Sequence, residues 1–394
     1  MSIRNNYNHT IVSSTIGYVT QAIVNNFTPL LFIMFQKKFH FSLEQITLLV
    51  TINFGIQLIV AFLSVKFADK LGYRLCIVSA HIFAAIGLVG VGIFPDWFSN
   101  PYTGLVVAVC LYAVGGGIIE VLVSPIVEAC PTKRKSAMMS LLHSFYCWGY
   151  MAVILLSTLF FSLWDIRHYP VLALLWAMVP AFNAIYFSLV PINRTVDVEE
   201  GLQVKELISI RLFWVFVLLM VCSGASEQAI SQWASAFAEV GLKISKTAGD
   251  LAGPFMFAFF MGSSRLLYSR YSEKIDLYVV MLGSGLLCIF GYLLTSLSFF
   301  PILSLIGCAI TGFSVGILWP GTISMSSRAC PKGGTPMFAI LALAGDLGCS
   351  IGPTVVGATS KMFQENFRIG ILFAMVFPVL LIILLLSLRV GNKK

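Results

Sequence analysis

Three carboxylates stand where a soluble chain would not place them: Glu120, Glu227 and Asp346 each lie within a long apolar stretch. A charge in hydrocarbon costs about 2.5–3.5 kcal/mol even on the lenient insertion scale, so each acid needs a compensating role. The chemistry open to such a group is reversible binding of a proton, or of a cation such as sodium, because burial favours the neutral form of a carboxyl. Little else is signalled. The chain lacks a Gly-x-x-x-x-Gly-Lys-Ser/Thr phosphate loop. It shows no nucleophile–base pair and no His/Cys cluster at zinc-ligand spacing. Catalysis, a resident metal, any other cofactor and nucleic-acid binding are therefore not expected. The nine cysteines are scattered singly, mostly in apolar runs, and read as small packing residues.

The elements that must position these acids follow from composition. Of 394 residues, 58% are hydrophobic and 11% charged, against ~45–50% and ~25% in soluble domains. Continuous apolar runs exclude the alternating strands of an outer-membrane barrel. At ~20 apolar residues per crossing, the chain has material for twelve spans. Hydropathy and turn signals place them at residues 10–35, 44–66, 73–94, 102–129, 136–163, 169–190, 211–238, 247–269, 277–298, 301–328, 334–361 and 367–389. The expected fold is an all-α membrane protein whose twelve transmembrane helices form two pseudo-symmetric six-helix bundles, at 1–190 and 211–394. Residues 191–210, with Arg194, Asp197, Glu199, Glu200, Lys205 and Glu206, form the linker between them.

Two patterns support that organisation. Loops on one side carry 18 of the 25 basic residues, which by the positive-inside rule makes that side, both termini and the linker cytoplasmic. The first apolar run contains Gln21, Asn25 and Asn26 and is too long for a signal peptide, so the N-terminus is expected to remain inside. In addition, Ala129-Cys130-Pro131 recurs as Ala329-Cys330-Pro331, and Asp69-Lys70 after span 2 is echoed by Glu273-Lys274 after span 8. Duplicated halves with a midplane site between them are the architecture of a secondary transporter.

Within that frame Glu120 lies about 13 Å from the end of span 4 at 1.5 Å per residue, close to the midplane. Asp346 is near the middle of span 11, and Glu227 somewhat off centre in span 7. Helical spacing gathers polar side chains on common faces. These are Ser14, Tyr18, Gln21, Asn25 and Thr28 in span 1; Asn53, Gln57 and Ser64 in span 2; Gly117, Glu120 and Ser124 in span 4; His143, Tyr146 and Tyr150 in span 5. In span 7 the stripe is Ser223, Glu227 and Ser231, with Gln228 and Gln232 adjacent. Amides and hydroxyls interleaved with Trp148, Trp233 and Trp319 suit a polyhydroxylated solute: rings stack and amides hydrogen-bond. Interhelical contact is the competing role for part of this set.

The loop Val65-Lys66-Phe67-Ala68-Asp69-Lys70-Leu71-Gly72-Tyr73-Arg74 resembles the signature of the major facilitator superfamily, Gly-x-x-x-Asp-Arg/Lys-x-Gly-Arg/Lys-Arg/Lys. Asp69, Lys70, Gly72 and Arg74 match, while Val65 replaces the opening Gly and Tyr73 a basic residue. The resemblance implies a mechanical latch, an Asp69–Arg74–Glu128 charge cluster, and Arg265 among the basic-side residues joins the gating set. Gly115-Gly116-Gly117-Ile118-Ile119-Glu120-Val121-Leu122-Val123-Ser124-Pro125 is similar to Gly-x-Gly-x-x-Glu-x-x-x-Asn-Pro of the fucose:proton symporter family, with Ser124 in place of Asn. Leu142-His143-Ser144-Phe145 with Gly149, and Asn25-Asn26 with Phe35-Gln36, fit the same family. The resemblance implies that Glu120 is the proton-coupling carboxylate. The family's second coupling acid is replaced by Pro29, which leaves Glu227 and Asp346 as candidates for a second site.

The expected activity is secondary transport of a small, sugar-like solute across the plasma membrane by alternating access, coupled to protons or sodium, by a monomer embedded in lipid. A drug or metabolite:proton antiporter is the alternative, although span 5 lacks the Gly-Pro-rich motif of such carriers and Gly352-Pro353 lies in span 11. A non-transporting membrane sensor would be expected to carry an extra soluble domain or long tail.

Overall fold

The computed structural model describes residues 3–131, 135–193, 202, 204–271, 275–330 and 332–391, with side chains except those of 64–70, 135–141, 269, 334–336 and 389–391. Nine of the twenty expected linker residues, the Glu273-Lys274 pair and Pro331 of the tripeptide repeat thus lie outside the described residues, as do the side chains of Ser64, Asp69 and Lys70. Among the described residues the elements are helices, with no strand. They group into two compact units, residues 1–197 and 198–394.

Among the described residues, eleven helical runs are long and apolar enough to cross a bilayer. Their ends lie within a few residues of the expected spans, because most stop at residues whose local chemistry ends a helix. Span 4 begins at Pro101, whose missing N–H costs nothing in the first turn, behind Asn100, whose side chain accepts the Tyr102 N–H at 2.9 Å. Asn6, Asp276 and Asn366 cap spans 1, 9 and 12 in the same way. Spans 2 and 3 meet at Gly72, whose φ of +88° lies in a region that only glycine enters without strain. The eighth expected span is present as a helical run from Lys246 to Tyr271, with a π-helical segment at Leu251–Phe255. Its Lys246, Asp250, Arg265 and Arg270 make it the least apolar crossing.

Both units break the first of their six spans. In span 1 the α-helix Tyr7–Asn26 gives way to a 3-10 turn, Thr28–Leu31, before Phe32–Phe39 resumes. Pro29 sits in that turn, where it cannot donate to the carbonyl four residues back. Span 7 runs as Arg211–Ser231, a short Ala234–Ala236 turn and a π-helical Phe237–Gly241. Transporter sites are commonly built at such discontinuities.

The internal packing of the units repeats. In unit 1, span 1 packs on spans 4, 5 and 6, span 4 on spans 2 and 3, and span 3 on span 6. In unit 2, span 7 packs on spans 10, 11 and 12, span 10 on spans 8 and 9, and span 9 on span 12. Span 10 (Pro301–Ala329) also mirrors span 4 (Pro101–Glu128) in opening on a proline and ending at the repeated Ala-Cys. Two copies of one six-helix plan are the simplest origin of this correspondence.

Candidate functional site

In unit 1 the site is assembled where three spans close on the glycine triplet of span 4. A methyl group at Gly115 would meet the backbone of Ala80 and Ala84 on span 3. At Gly116 it would stand 3.0 Å from Gln21 Oε1 of span 1, and at Gly117 2.7 Å from the Gln57 carbonyl of span 2. Each glycine therefore admits a different neighbour, and Glu120 lies one turn further along the same helix.

That approach brings four of the expected amides into one chain with the acid. Gln21 Nε2 donates to Glu120 Oε2 at 3.2 Å and to Gln57 Oε1 at 2.8 Å. Gln57 Nε2 donates to Asn25 Oδ1 and to Asn53 Oδ1, both at 2.8 Å. Asn53 Nδ2 reaches Asn25 Oδ1 at 3.4 Å, which closes a triangle. The amides are buried, and Glu120 is half-buried. Spans 1, 2 and 4, remote in sequence, thus supply one polar cluster in a low-dielectric surrounding where hydrogen bonds are strengthened.

A second group adjoins it. Tyr18 OH and Ser124 Oγ lie 3.1 Å apart, and the Tyr18 ring packs 5.1 Å from that of His143. Tyr150 is buried and Tyr146 half-buried, whereas Trp148 is 59% exposed and lies on another face of span 5. The structure does not bring Trp148 to the amide chain.

Unit 2 holds a parallel arrangement. Gln232 Nε2 donates to Gln228 Oε1 at 3.0 Å, and Gln228 Nε2 to Glu227 Oε1 at 3.3 Å. The other Glu227 oxygen faces Arg265 Nη2 at 3.9 Å, while Arg265 Nε donates to the Gly316 carbonyl at 3.0 Å. Arg265, expected in the gating set, is thus a partner of the deep acid. Asp346 is buried in span 11, and the ring of Trp319 lies over the adjacent Gly345.

Two expectations need correction. Trp233 offers no surface on which a solute could stack: it is fully buried, its ring packs against Phe367, and its Nε1–H is donated to the Pro353 carbonyl at 2.9 Å. Arg74 does not pair with exposed Glu128. Its guanidinium donates to the carbonyls of Phe187, Ser188 and Val190 at 2.9, 2.7 and 2.7 Å, and no ion pair joins it to Glu128 among the described residues. The last carbonyls of a helix have no partner within it and carry the negative end of its dipole, so the C-terminus of span 6 outcompetes a solvated carboxylate.

Two clusters escaped the reading of the sequence. His81 is fully buried; its Nδ1 meets the Ile77 carbonyl at 2.8 Å and its Nε2 meets Asn183 Nδ2 at 2.8 Å, while Ser13 Oγ donates to Asn183 Oδ1 at 2.9 Å. In unit 2, Lys246 Nζ lies 2.8 Å from Asp250 Oδ1, which also accepts from Ser235 Oγ at 2.5 Å. Asp250 is 1% exposed. The i,i+4 spacing of Lys246 and Asp250 was a visible signal, but both residues stood at a span end where charges need no explanation.

The Major Facilitator Superfamily model matches residues 14–353. No curated protein matches the chain. Among solved structures, the E. coli fucose:proton symporter FucP is similar at a TM-score of 0.66 and 16% identity, covering 95% of this chain and 97% of that one. A FucP structure in the outward conformation gives the same values. The nucleoside transporter NupG is similar at a TM-score of 0.75 and 13% identity, covering 96% and 99%. These likenesses carry the fold. With the family match over most of its length, the chain belongs to the Major Facilitator Superfamily: it is a membrane-spanning transporter of a small molecule, not an enzyme.

Proposed function

We propose that the protein is a proton-coupled symporter that carries a small hydroxyl-rich solute across the plasma membrane by alternating access. The observation that carries this reading is the chain Asn25/Asn53–Gln57–Gln21–Glu120, in which a carboxyl able to take a proton is hydrogen-bonded to amides able to take a solute. Support comes also from the similar transporters, FucP for a sugar and NupG for nucleosides, both polyhydroxylated solutes. Glu120 is the proton site; Glu227, beside Arg265, and Asp346 are the candidates for a second. Ser124, His143, Tyr146, Tyr150, Gln228, Gln232 and Trp319 complete the proposed solute contacts. Residues 1–190 and 211–394 are the two moving bodies, with both termini and the linker on the basic, cytoplasmic side.

In this cycle Glu120 is protonated from outside, the solute binds, access switches, and proton and solute leave inside. One pH unit is worth about 1.4 kcal/mol, a tenfold solute gradient per proton, and the membrane potential adds about 2.3 kcal/mol per charge per 100 mV. The test is uptake of labelled monosaccharides and nucleosides into proteoliposomes under an inward proton gradient. Glu120→Gln should abolish accumulation while counterflow exchange of the same solute continues. Undiminished accumulation by this variant would remove Glu120 from the cycle.

A further inference from the structure

The amide chain in unit 1 has a property that none of its bonds shows singly. An ionised carboxylate only accepts hydrogen bonds, and each amide has one accepting and one donating end. As observed, both Gln21 hydrogens are used, one on Glu120 and one on Gln57, and both Gln57 hydrogens are used, on Asn25 and Asn53. Every donor is therefore ordered from the acid outward.

A proton placed on Oε2, the Glu120 oxygen that faces Gln21, turns that oxygen into a donor, and Gln21 must then present its carbonyl there. Gln57 Oε1 would face that carbonyl, so Gln57 must turn to donate its own Nε2. Its oxygen then faces Asn25 and Asn53, which must turn to present their amino ends. The fifth contact, between Asn53 and Asn25, is kept with donor and acceptor exchanged. All five hydrogen bonds survive the full reversal, whereas a partial one loses each bond at which a turned amide meets an unturned one. The two ends of an amide occupy similar volumes, so no repacking is required. Gln21 Oε1 is buried without a hydrogen-bond partner and lies against Gly116, where no side chain blocks the larger amino end. One end of Gln21 lacks a partner in either orientation, so that penalty largely cancels between the two.

We infer that Gln21 is the positioning residue that transmits the protonation state of Glu120 to Asn25 and Asn53, by reversing the donor–acceptor order of the whole chain. A solute hydroxyl at Asn25 or Asn53 would meet an acceptor in one state and a donor in the other, which gives proton and solute a direct means of sensing each other. This rests on the reading of Glu120 as the proton site. Titratable groups that the packed elements bring to this region include Tyr18 of span 1, His81 of span 3, and His143 and Tyr146 of span 5. Span 2 contributes the amides Asn53 and Gln57.

The experiment is an infrared pH titration of the purified protein, with no solute required. In the wild type, a protonated-carboxyl band that is missing from Glu120→Gln should titrate together with side-chain amide bands that are missing from Gln57→Leu. In Gln21→Leu the carboxyl band should still titrate while the amide bands fall silent. Amide bands that persist in Gln21→Leu would overturn the inference and leave the proton site standing. A carboxyl band unaffected by Glu120→Gln would overturn the proton site and the inference with it. Should Gln21→Leu fail to fold, Gln21→Met, unbranched and of similar length, serves the same comparison with the same outcomes.

Discussion

Gly116 and Gly117 are adjacent, yet alanine at the two positions should do opposite things. At Gly117 the new Cβ would lie 2.7 Å from the Gln57 carbonyl oxygen and 2.9 Å from its Cα, about 0.7 Å inside ordinary contact at 3.4 Å. These are backbone atoms, so only separation of spans 2 and 4 can relieve the overlap, and such overpacking typically costs about 1–3 kcal/mol. At Gly116 the nearest atoms are side-chain ends: Gln21 Oε1 at 3.0 Å, Val24 Cγ1 at 3.1 Å and Gln57 Cδ at 3.3 Å. Relief there needs about 0.4 Å and comes from rotation of side chains. The roughly 1 kcal/mol helix-propensity gain of glycine to alanine is common to both variants and cancels in the comparison. Gly117→Ala should thus melt lower than Gly116→Ala by about 2–12 °C, at about 2–4 °C per kcal/mol for a unit of this size. Gly116→Ala should instead lose function. A 0.4 Å displacement of the rigid Gln21 amide takes its 3.2 Å bond to Glu120 to about 3.6 Å, a separation at which a hydrogen bond is lost. Melting in detergent and proton-driven accumulation in vesicles read the two effects separately. A Gly116→Ala protein that is the less stable of the pair, or that accumulates solute like the wild type, would refute these assignments.

Two further outcomes follow from the clusters outside the amide chain. His81→Leu removes the acceptor for one Asn183 amide hydrogen, so melting should fall by the equivalent of about 1–3 kcal/mol while the pH profile of uptake is unchanged; a shifted profile would make His81 a proton carrier. Lys246→Met leaves the carboxylate of Asp250 buried without its cation and should cost about 3–5 kcal/mol, whereas Lys246→Met with Asp250→Leu should recover most of that loss. Additive losses in the double variant, read by melting, would show that the two side chains do not act as a pair.

The positions of the spans were legible in the residues because hydropathy, proline punctuation and capping are local properties. Asn100-Pro101 starts a helix whatever surrounds it, and Pro29 interrupts one. The deep acids were legible for the same reason, since an acid inside an apolar run is conspicuous without coordinates. Partner choice was not. Arg74 carries five donors that a carboxylate or a helix end could satisfy, and only packing of spans 3 and 6 decided for the carbonyls of Phe187, Ser188 and Val190. Trp233 was expected to interleave with the polar groups of span 7, but beyond the break after Ser231 its ring lies in the interior. Gln21, Asn25, Asn53 and Gln57 were each expected at a site, as one i,i+4 pair on each of two helices. That they form one ordered chain ending on Glu120 depends on three glycines that let spans 1, 2 and 3 approach span 4 to within hydrogen-bonding reach. Hydrogen bonds fail over a few tenths of an ångström, so their pattern is set by the crossing of helices rather than by the order of residues.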